Sequence, residues 1–378
     1  MEHVNRKHWA LAMFGLLIAG LVVSSDADAT SRTYLNVGVT HVQGSIDGPD
    51  GPSMSRATSL LSSYPGTFQN IILMGWGDRN PNPAPGVYDW TDIDRRISHV
   101  RQTGGTPVVT LCCAPDWMKG GAPGTTDWGK LGYAPYMSKY WDFAQLAKQV
   151  AIRYPDVKFF QVWSEMRGFW DASANTWRSA DYTKMYNLVY DALKSVNSSI
   201  QVGGPYVSMR SFAPGETAYP SSVSGQWGVI DQRDLDAVSY WLKNAKGKDF
   251  VTVDGSVLTA GSPRRLLVSA AASTEKFGAV SRWIRSQTTI PIWWAEYYPV
   301  PFGNPTGMSE AEQVSVTQRG FQVAEAAGVS VALMWQPEGH GSLSWLGMWG
   351  PTWKEYGGFP TSIYNVAKPW LGRHAVDN

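Results

Sequence analysis

Two glutamates, Glu165 and Glu296, each stand at the end of a short apolar run that predicts a buried strand. A carboxylate in such a place costs free energy to remove from water unless a partner or a function retains it. Either residue alone could be a salt-bridged or solvent-exposed loop glutamate. Together they favour cleavage of a glycosidic bond, in which one acid protonates the leaving oxygen and one carboxylate attacks the anomeric carbon.

Aromatic and polar residues at other strand ends are candidates for substrate contacts. A tryptophan can stack on a sugar ring, although it packs in a core more often than it lines a ligand surface. Tyrosine, aspartate and histidine side chains could bond sugar hydroxyls or simply be solvated. The candidates are Trp335, Trp117, Trp170, Tyr206, Asp78 and His41, with Trp335 best placed and Trp170 the weakest.

Two histidines follow the first and the last predicted strand, His41 and His340 respectively. In a closed barrel they would be neighbours. Two imidazoles are not a typical metal site, and neither a third histidine nor a His-Glu-x-x-His sequence is nearby. We therefore expect no metal and no cofactor, and interpret the histidines as sugar contacts or local hydrogen-bonding groups.

Predicted strands alternate with helical patterns, and the strands begin roughly every 40 residues, as in a βα unit with loops. The links from strand to helix are long, whereas those from helix to strand are short. This asymmetry is typical of a single-domain (β/α)8 TIM barrel, with the chemistry at the C-terminal ends of the strands. A doubly wound open sheet is the alternative, but no Gly-rich phosphate turn follows the first strand. The predicted strands are Tyr34–Thr40, Asn70–Met74, Pro107–Cys112, Lys158–Trp163, Ile200–Gly204, Phe250–Val253, Ile290–Ala295 and Val329–Trp335.

Helix signals support the same reading. Thr91 with Asp94 and Ser309 with Glu312 have the spacing of capping boxes. A stripe of apolar residues at helical spacing, from Phe143 to Val150, predicts a helix that packs on the barrel.

Composition excludes several classes of function. The chain has 378 residues, a formal charge of +1 and 17% charged residues, so a nucleic-acid partner is not expected. It has 19 tryptophans, a surplus that suits a core or a surface that stacks on a neutral polysaccharide. Neither the Gly-x-Ser-x-Gly turn of esterases nor a Walker loop occurs.

The first 29 residues predict a secretory signal peptide. Arg6 and Lys7 precede an apolar run from Ala10 to Val23, and Ala27-Asp28-Ala29 matches the small-x-small cleavage pattern. The run is shorter than the roughly 20 residues that cross a bilayer. We expect cleavage after Ala29, a catalytic domain of residues 30–378, no stable membrane anchor, and a secreted or cell-envelope location.

The only cysteines, Cys112 and Cys113, are adjacent, so they cannot form a disulfide framework. They end an apolar run in which small buried thiols pack well. We expect packed thiols, with a vicinal disulfide or a reactive thiol as the alternatives.

The motifs around the two glutamates resemble those of clan A glycoside hydrolases. They are most similar to family 39, which holds β-xylosidases, α-L-iduronidases and bacterial exopolysaccharide hydrolases. The resemblance spans nearly the whole chain after the signal peptide. The matching segments are Gln161–Met166, Trp294–Tyr297, Gly75–Asp78, Gly86–Trp90, Ala114–Trp117, Val202–Pro205 and Ala332–Trp335.

The resemblance implies that Glu165 is the general acid/base and Glu296 the nucleophile of a retaining reaction, with Trp335 under the sugar. Two positions depart from the family pattern. Ser164 stands where the clan has an asparagine that contacts the 2-hydroxyl of the sugar, and we expect its shorter hydroxyl to bind the substrate there. The sixth strand ends in Thr252-Val253-Asp254-Gly255 instead of His-x-Tyr, which leaves the support of the nucleophile unexplained.

Three functions compete. The favoured one is a secreted, monomeric, retaining hydrolase of β-linkages in a xylan-like polysaccharide or an exopolysaccharide, with endo action suggested by the long aromatic-rich loops. The second is a catalytically degenerate barrel that binds poly- or oligosaccharide without cleaving it. The third is a structural or adhesive surface protein.

Overall fold

The computed structural model describes residues 34–42, 45–46, 48, 51–74, 79–301, 307–339 and 347–373. The predicted signal peptide, Asp78 and His340 lie outside these residues. Eight parallel strands close into a barrel, which confirms the predicted TIM barrel and excludes the open sheet. The barrel strands are β1 Asn36–His41, β2 Phe68–Ile72, β3 Thr106–Leu111, β4 Phe159–Val162, β5 Gln201–Ser208, β6 Phe250–Ser256, β7 Ile292–Tyr298 and β8 Val331–Trp335.

Each barrel strand pairs with its neighbours in chain order, and β1 also pairs with β8 to close the ring. Each strand lies at one of the eight predicted runs. The described helices are α1 Pro52–Ser62, α2 Thr91–Gln102, α3 Tyr140–Arg153, α4 Ser179–Val196, α5 Gln232–Asn244, α6 Ala270–Ser273, α7 Glu275–Gln287, α8 Glu310–Ala326 and α9 Ser362–Ala367.

One of the two predicted capping boxes forms. The Ser309 hydroxyl accepts from the Glu312 amide, and the Glu312 carboxylate accepts from the Ser309 amide, at the start of α8. At α2, Thr91 is instead the first helical residue, and its amide donates to the Asp89 carboxylate at 3.0 Å. The aspartate two residues earlier therefore replaces the predicted threonine cap.

Aromatic side chains fill the barrel at the N-terminal ends of its strands. Trp293 stacks on Phe250 with ring centroids 4.2 Å apart, and Phe68 meets Trp293 edge-on at 5.1 Å. Gly203 on β5 makes room for this cluster, because a Cβ there would lie 2.1 Å from the Phe250 ring. This end of the barrel is packed solid, so a ligand must enter at the opposite end.

Short antiparallel strands decorate the long links at the C-terminal end. One hairpin pairs Trp170–Asp171 with Thr176–Trp177, between β4 and α4. A small sheet between β5 and α5 joins Ser211–Phe212, Pro220–Gly225 and Gly228–Asp231. These strands were not predicted from the sequence, since each is short and carries little of the alternation typical of a half-buried strand.

The expectation of two packed thiols is wrong. Cys112 and Cys113 are buried as expected, but their sulfurs are joined in a vicinal disulfide. An apolar run accommodates a buried thiol and a buried disulfide equally well, so the pattern could not distinguish them.

No helix among the described residues is long and apolar enough to cross a membrane.

Candidate active site

Glu165 lies in a strained turn directly after β4. Trp163, Glu165 and Met166 all have positive φ, at 72°, 50° and 47°. Residues other than glycine rarely adopt a positive φ, and those that do are concentrated at functional sites. The buried indole of Trp163 stabilises the turn by donating to the carbonyl of Arg167 at 2.8 Å. The tryptophan beside this glutamate is therefore a support for the loop.

Two bulges decide which side chains of β5 and β7 face the interior. Tyr206 is the extra residue of β5 opposite β6, and Ala295 is the extra residue of β7 opposite β6. Without the extra residue, the alternation that turns Trp293 inward would turn Glu296 outward. A bulge thus re-aims the carboxylate into the barrel, as bulges beside active sites commonly do.

The same two bulges bring three polar residues into one row across neighbouring strands. Asp254 on β6 is in register with Ser208 on β5 and with Glu296 on β7. Their side chains meet inside the C-terminal mouth of the barrel. One carboxylate oxygen from each of Glu165, Asp254 and Glu296 lies within 4.8 Å of the others.

Glu296 is buried and accepts two hydrogen bonds from phenols. The Tyr206 hydroxyl donates to Oε1 at 2.9 Å, and the Tyr298 hydroxyl donates to Oε2 at 2.6 Å. Both bonds favour the ionised form of the carboxyl group, which is the form that can attack carbon. They answer the question left open by the altered sixth strand, because the support of Glu296 comes from β5 and β7.

Glu165 is less buried and contacts two side chains. The Arg167 guanidinium forms an ion pair with its Oε2, and the Ser208 hydroxyl lies 3.2 Å from its Oε1. Ser208 also lies 2.8 Å from Oδ2 of Asp254. A serine hydroxyl has one hydrogen and so donates to one carboxylate at a time. Both contacts are hydrogen bonds only when one of the two carboxyl groups carries a proton and donates it to Ser208.

The surroundings of Asp254 favour that proton on Asp254 itself. Its side chain is 3% exposed, and its Oδ1 has no hydrogen-bond partner among the described residues. Burial, followed by the nearby charges of Glu165 and Glu296, raises the pKa of Asp254 well above its usual value. Burying Oδ1 without a hydrogen-bond partner also costs less free energy when the carboxyl group is neutral than when it is ionised.

Burial, with the nearby charge of Glu165, raises the pKa of Glu296 to about 8, against the two phenolic hydrogen bonds. The raised pKa disfavours the ionised form of Glu296, which is the form that can attack carbon. The hydrogen bonds from Tyr206 and Tyr298 act in the opposite direction, since they favour the ionised form of Glu296.

Lys276 supplies a buried cation to the same region. Its ammonium donates to the carbonyl of Ser256 at 2.9 Å, and burial lowers its pKa to about 8. The ammonium therefore lies in the electrostatic surroundings of the carboxyl cluster.

A cavity of about 680 Å³ opens over the carboxyl cluster, and we call it the central cavity. Glu165, Asp254 and Glu296 form its floor, and its volume is in the range of ordinary small-ligand sites. The central cavity is also lined by the cationic side chains of Arg167, Arg210, Arg264 and Lys276.

Some predicted contact residues meet at this site. Trp335 lines the central cavity and is 8% exposed, with its ring 6.4 Å from that of Tyr298. Tyr206 reaches the site, but its hydroxyl bonds Glu296 where we expected a bond to sugar. Ser164 is buried next to Glu165, and its hydroxyl has no partner within the described chain, so its contact with a sugar stays a prediction.

Other predicted contact residues lie elsewhere. The indole of Trp117 is buried and donates to the carbonyl of Asn82 at 2.9 Å. His41 is fully buried, with its ring nitrogens 2.9 Å from Ser45 Oγ and 3.0 Å from Gln69 Oε1. Neither Trp117 nor His41 is among the residues that line the central cavity, so the geometry gives no support to their predicted sugar contacts.

Five residues of the site were not predicted from the sequence. Asp254 was noted as a departure from the family pattern but was given no role. Tyr298 follows Glu296 at a spacing of two, which places both on one face of a strand and could have identified it. The missed residues are Asp254, Tyr298, Ser208, Arg167 and Lys276.

The three carboxyl groups are also the described residues most suited to a metal, since oxygen ligands suit Mg²⁺ and Ca²⁺. The contacts fit a hydrogen-bonded cluster better than a cation site. Glu296 is held by two phenols, Ser208 bridges Glu165 and Asp254, and Arg167 brings a positive charge to Glu165.

The sequence matches no protein-family model and no curated protein. Solved structures are similar in fold. A monomeric β-xylosidase from Caulobacter crescentus CB15 superposes with a TM-score of 0.61 and 16% identity, over 89% of this chain and 67% of that one. A GH39 enzyme from Xanthomonas axonopodis pv. citri gives 0.59 and 16%, over 89% and 66%. An exo-β-1,4-mannosidase from an Opitutaceae bacterium gives 0.57 and 13%, over 91% and 60%.

The chain thus spans about two thirds of the length of the first two of these proteins. Identities this low establish the fold alone. The resemblance to clan A and family 39 glycoside hydrolases is confirmed at that level: the chain has the TIM-barrel fold of these glycosidases.

Proposed function

We propose that the protein is a retaining glycoside hydrolase that cleaves β-glycosidic bonds of a polysaccharide. The observation that carries the proposal is the approach of Glu165 and Glu296. Their carboxylate oxygens come within 4.8 Å in the mouth of the barrel. Retention requires carboxyl groups about 5–5.5 Å apart, whereas inversion requires about 6.5–9.5 Å to leave room for a water.

Glu165 is the acid/base in this proposal. Two observations support this role: Glu165 follows β4 at the C-terminal end of the barrel, and its exposed fraction exceeds that of Glu296. The Arg167 ion pair must loosen as Glu165 takes up its proton. Arg167 has a partly exposed side chain, so substrate or solvent can take over that contact.

Glu296 is the nucleophile. It attacks the anomeric carbon while the leaving oxygen takes the proton from Glu165, and a covalent glycosyl-enzyme forms. Water, deprotonated by Glu165, then attacks the same carbon and releases the sugar with Glu296 restored. The hydroxyls of Tyr206 and Tyr298 orient the carboxylate throughout.

The test is product analysis by mass spectrometry on a panel of polysaccharides. It includes xylan, mannan, β-glucan and purified exopolysaccharides, and also uronic-acid polymers because arginines line the central cavity. NMR of the first product shows whether the anomeric configuration is retained. Inversion, or glycan binding without products, would contradict the proposal, and the latter would indicate a carbohydrate-binding protein.

Variants of the two glutamates test the roles. Glu296→Ala abolishes turnover without loss of the fold, and azide restores it by forming a glycosyl azide of inverted configuration. Glu165→Ala gives, with azide, a glycosyl azide of retained configuration. Full activity of Glu296→Ala on the cleaved polymer would remove that residue from the mechanism.

We propose export on the basis of residues 1–29, which lie outside the described part of the chain. Mass analysis of the protein recovered from the growth medium tests this, with Thr30 as the expected first residue.

A further inference from the structure

A second cavity lies beside the central one and shares its acid/base wall. It has a volume of about 410 Å³ and is lined by Glu165 together with Arg167, Ser208 and Arg210, which also line the central cavity. Glu296 lines the central cavity and is absent from the second. Glu165 therefore stands between the two spaces.

This placement separates the two halves of a substrate. If the proposed function holds, the sugar that is attacked must lie over Glu296, and the leaving group must lie against the acid that protonates it. The central cavity then takes the attacked sugar. The second cavity, on the other side of Glu165, takes the leaving group.

The second cavity continues into a third, of about 440 Å³. Tyr133 and Gly168 line both. Gly168 has a φ of 74°, and a Cβ there would lie 2.2 Å from the amide nitrogen of Ala134. Glycine at this position lets the turn after β4 approach the segment around Tyr133, which builds one continuous wall.

The wall carries aromatic rings that are not buried in the hydrophobic core. Tyr133 and Tyr136 are each 58% exposed. Trp170, also in the wall, is held edge-on to Trp177 with ring centroids 5.0 Å apart, and the Arg210 guanidinium lies 5.1 Å from its ring centre. Clustered exposed aromatics mark ligand or partner surfaces more often than isolated ones do.

We propose that the second and third cavities form one binding groove, the leaving-group groove, for the chain on the leaving side of the scissile bond. The occupant is a run of sugar units, which offers apolar ring faces to aromatic side chains and hydroxyls to polar ones. The protein therefore cuts within a glycan chain and discriminates against substrates with a short leaving group.

The experiment compares leaving groups of different length on one enzyme. Xylo-, cello- and manno-oligosaccharides from disaccharide to hexasaccharide, labelled with ¹⁸O at the reducing end, are digested beside the matching nitrophenyl β-glycosides. Mass spectrometry of the labelled products gives the bond that is cut. We expect kcat/KM to rise with the number of units on the reducing-end side, and internal bonds to be cut first.

Tyr133→Ala and Tyr136→Ala test the wall, since exposed side chains can be truncated with little effect on folding. We expect kcat/KM on the best hexasaccharide to fall about ten-fold, which corresponds to loss of one aromatic contact. Activity on the nitrophenyl glycoside, whose leaving group is a single ring, should fall less than activity on the hexasaccharide. Tyr34→Ala is the matched control, because Tyr34 is 51% exposed and precedes β1 at the closed end of the barrel.

Single sugars released from the non-reducing end, with no chain-length effect and no loss in Tyr133→Ala, would overturn the groove and leave the hydrolase intact. Absence of cleavage of every oligosaccharide, nitrophenyl glycoside and panel polysaccharide would overturn the proposed function and the groove with it. Equal losses on long and short substrates would also overturn the groove, since they place the tyrosines with the attacked sugar.

Discussion

The Tyr298 hydroxyl donates a 2.6 Å hydrogen bond to Oε2 of Glu296, two residues earlier on the same strand. Residues two apart on a strand project from one face, so β7 provides both the carboxylate and one of its donors. Tyr206 provides the other donor from β5. The ionised state of Glu296 thus depends on two phenols that oppose the effect of burial and of the charge on Glu165.

Removing the Tyr298 hydroxyl weakens the proposed nucleophile. A hydrogen bond to a charged group contributes about 1.5–3 kcal/mol, so we expect Tyr298→Phe to lower kcat/KM by about ten- to a hundred-fold. The pKa of Glu296 rises further when a donor is lost, because that bond favours the charged form. The rate falls as pH drops through this pKa, so the acid limb of the pH–rate profile moves to higher pH.

Tyr297→Phe is the control on the same strand. Tyr297 faces outward and donates to the carbonyl of Gly320 at 2.7 Å. Its loss should lower thermal stability and leave the acid limb in place. An unshifted acid limb in Tyr298→Phe would show that its bond to Glu296 does not set the ionisation.

The barrel was predictable from the sequence because its strands are buried on both faces and therefore form near-continuous apolar runs. Capping was predictable where one residue decides it, as at Ser309, and failed at Thr91, where Asp89 offers a competing oxygen. Loop strands such as Trp170–Asp171 were not predictable, because two residues carry no periodicity.

Of the site, only the residues that directly follow an apolar strand in the sequence could be predicted. Glu165 and Glu296 were found because a carboxylate after an apolar strand is unusual. Asp254 and Ser208 join them through register, which the extra residues Tyr206 and Ala295 set. A one-residue bulge changes the side of the sheet to which each later side chain of the strand points. The local sequence does not predict such a bulge.

The Ser208 hydroxyl contacts the carboxyl groups of both Asp254 and Glu165, so substitutions of Ser208 and of Asp254 should lower kcat/KM by different amounts. Ser208→Ala removes both contacts, and we expect kcat/KM to fall about ten-fold at neutral pH. Asp254→Asn keeps an N–H donor that can bond Ser208, so it should retain more activity than Asp254→Ala. Michaelis kinetics on the cleaved polysaccharide check the order of the three variants. An Asp254→Asn variant as impaired as Asp254→Ala would mean that a charged Asp254 is required.

Asp254 should also make stability depend on pH. Its pKa is raised in the folded protein, so the folded state binds more protons than the unfolded state above about pH 4. The free energy of unfolding therefore falls as pH rises towards the folded pKa. Asp254→Asn lacks this loss, so we expect its free energy of unfolding, relative to that of the wild type, to be higher at pH 8 than at pH 5.

Urea unfolding at pH 5 and pH 8 measures the difference. The control is Asp236→Asn, an exposed residue of α5, which should change the free energy of unfolding equally at both pH values. If Asp254→Asn changed the free energy of unfolding by the same amount at pH 5 and at pH 8, Asp254 would not be protonated in the folded protein.

The sequence predicts sugar stacking for both Trp335 and Trp117, with Trp335 the better placed, and their positions in the structure separate their expected effects. Trp335 borders the central cavity, so Trp335→Phe should raise KM about ten-fold through loss of ring area against the sugar, with a small change in thermal stability. Trp117 is buried and its indole bonds Asn82, so Trp117→Phe should cost about 1 kcal/mol of unfolding free energy and leave KM unchanged. Kinetics and thermal unfolding on both variants decide between these roles. A KM effect in Trp117→Phe without one in Trp335→Phe would place the sugar away from the β8 wall of the cavity.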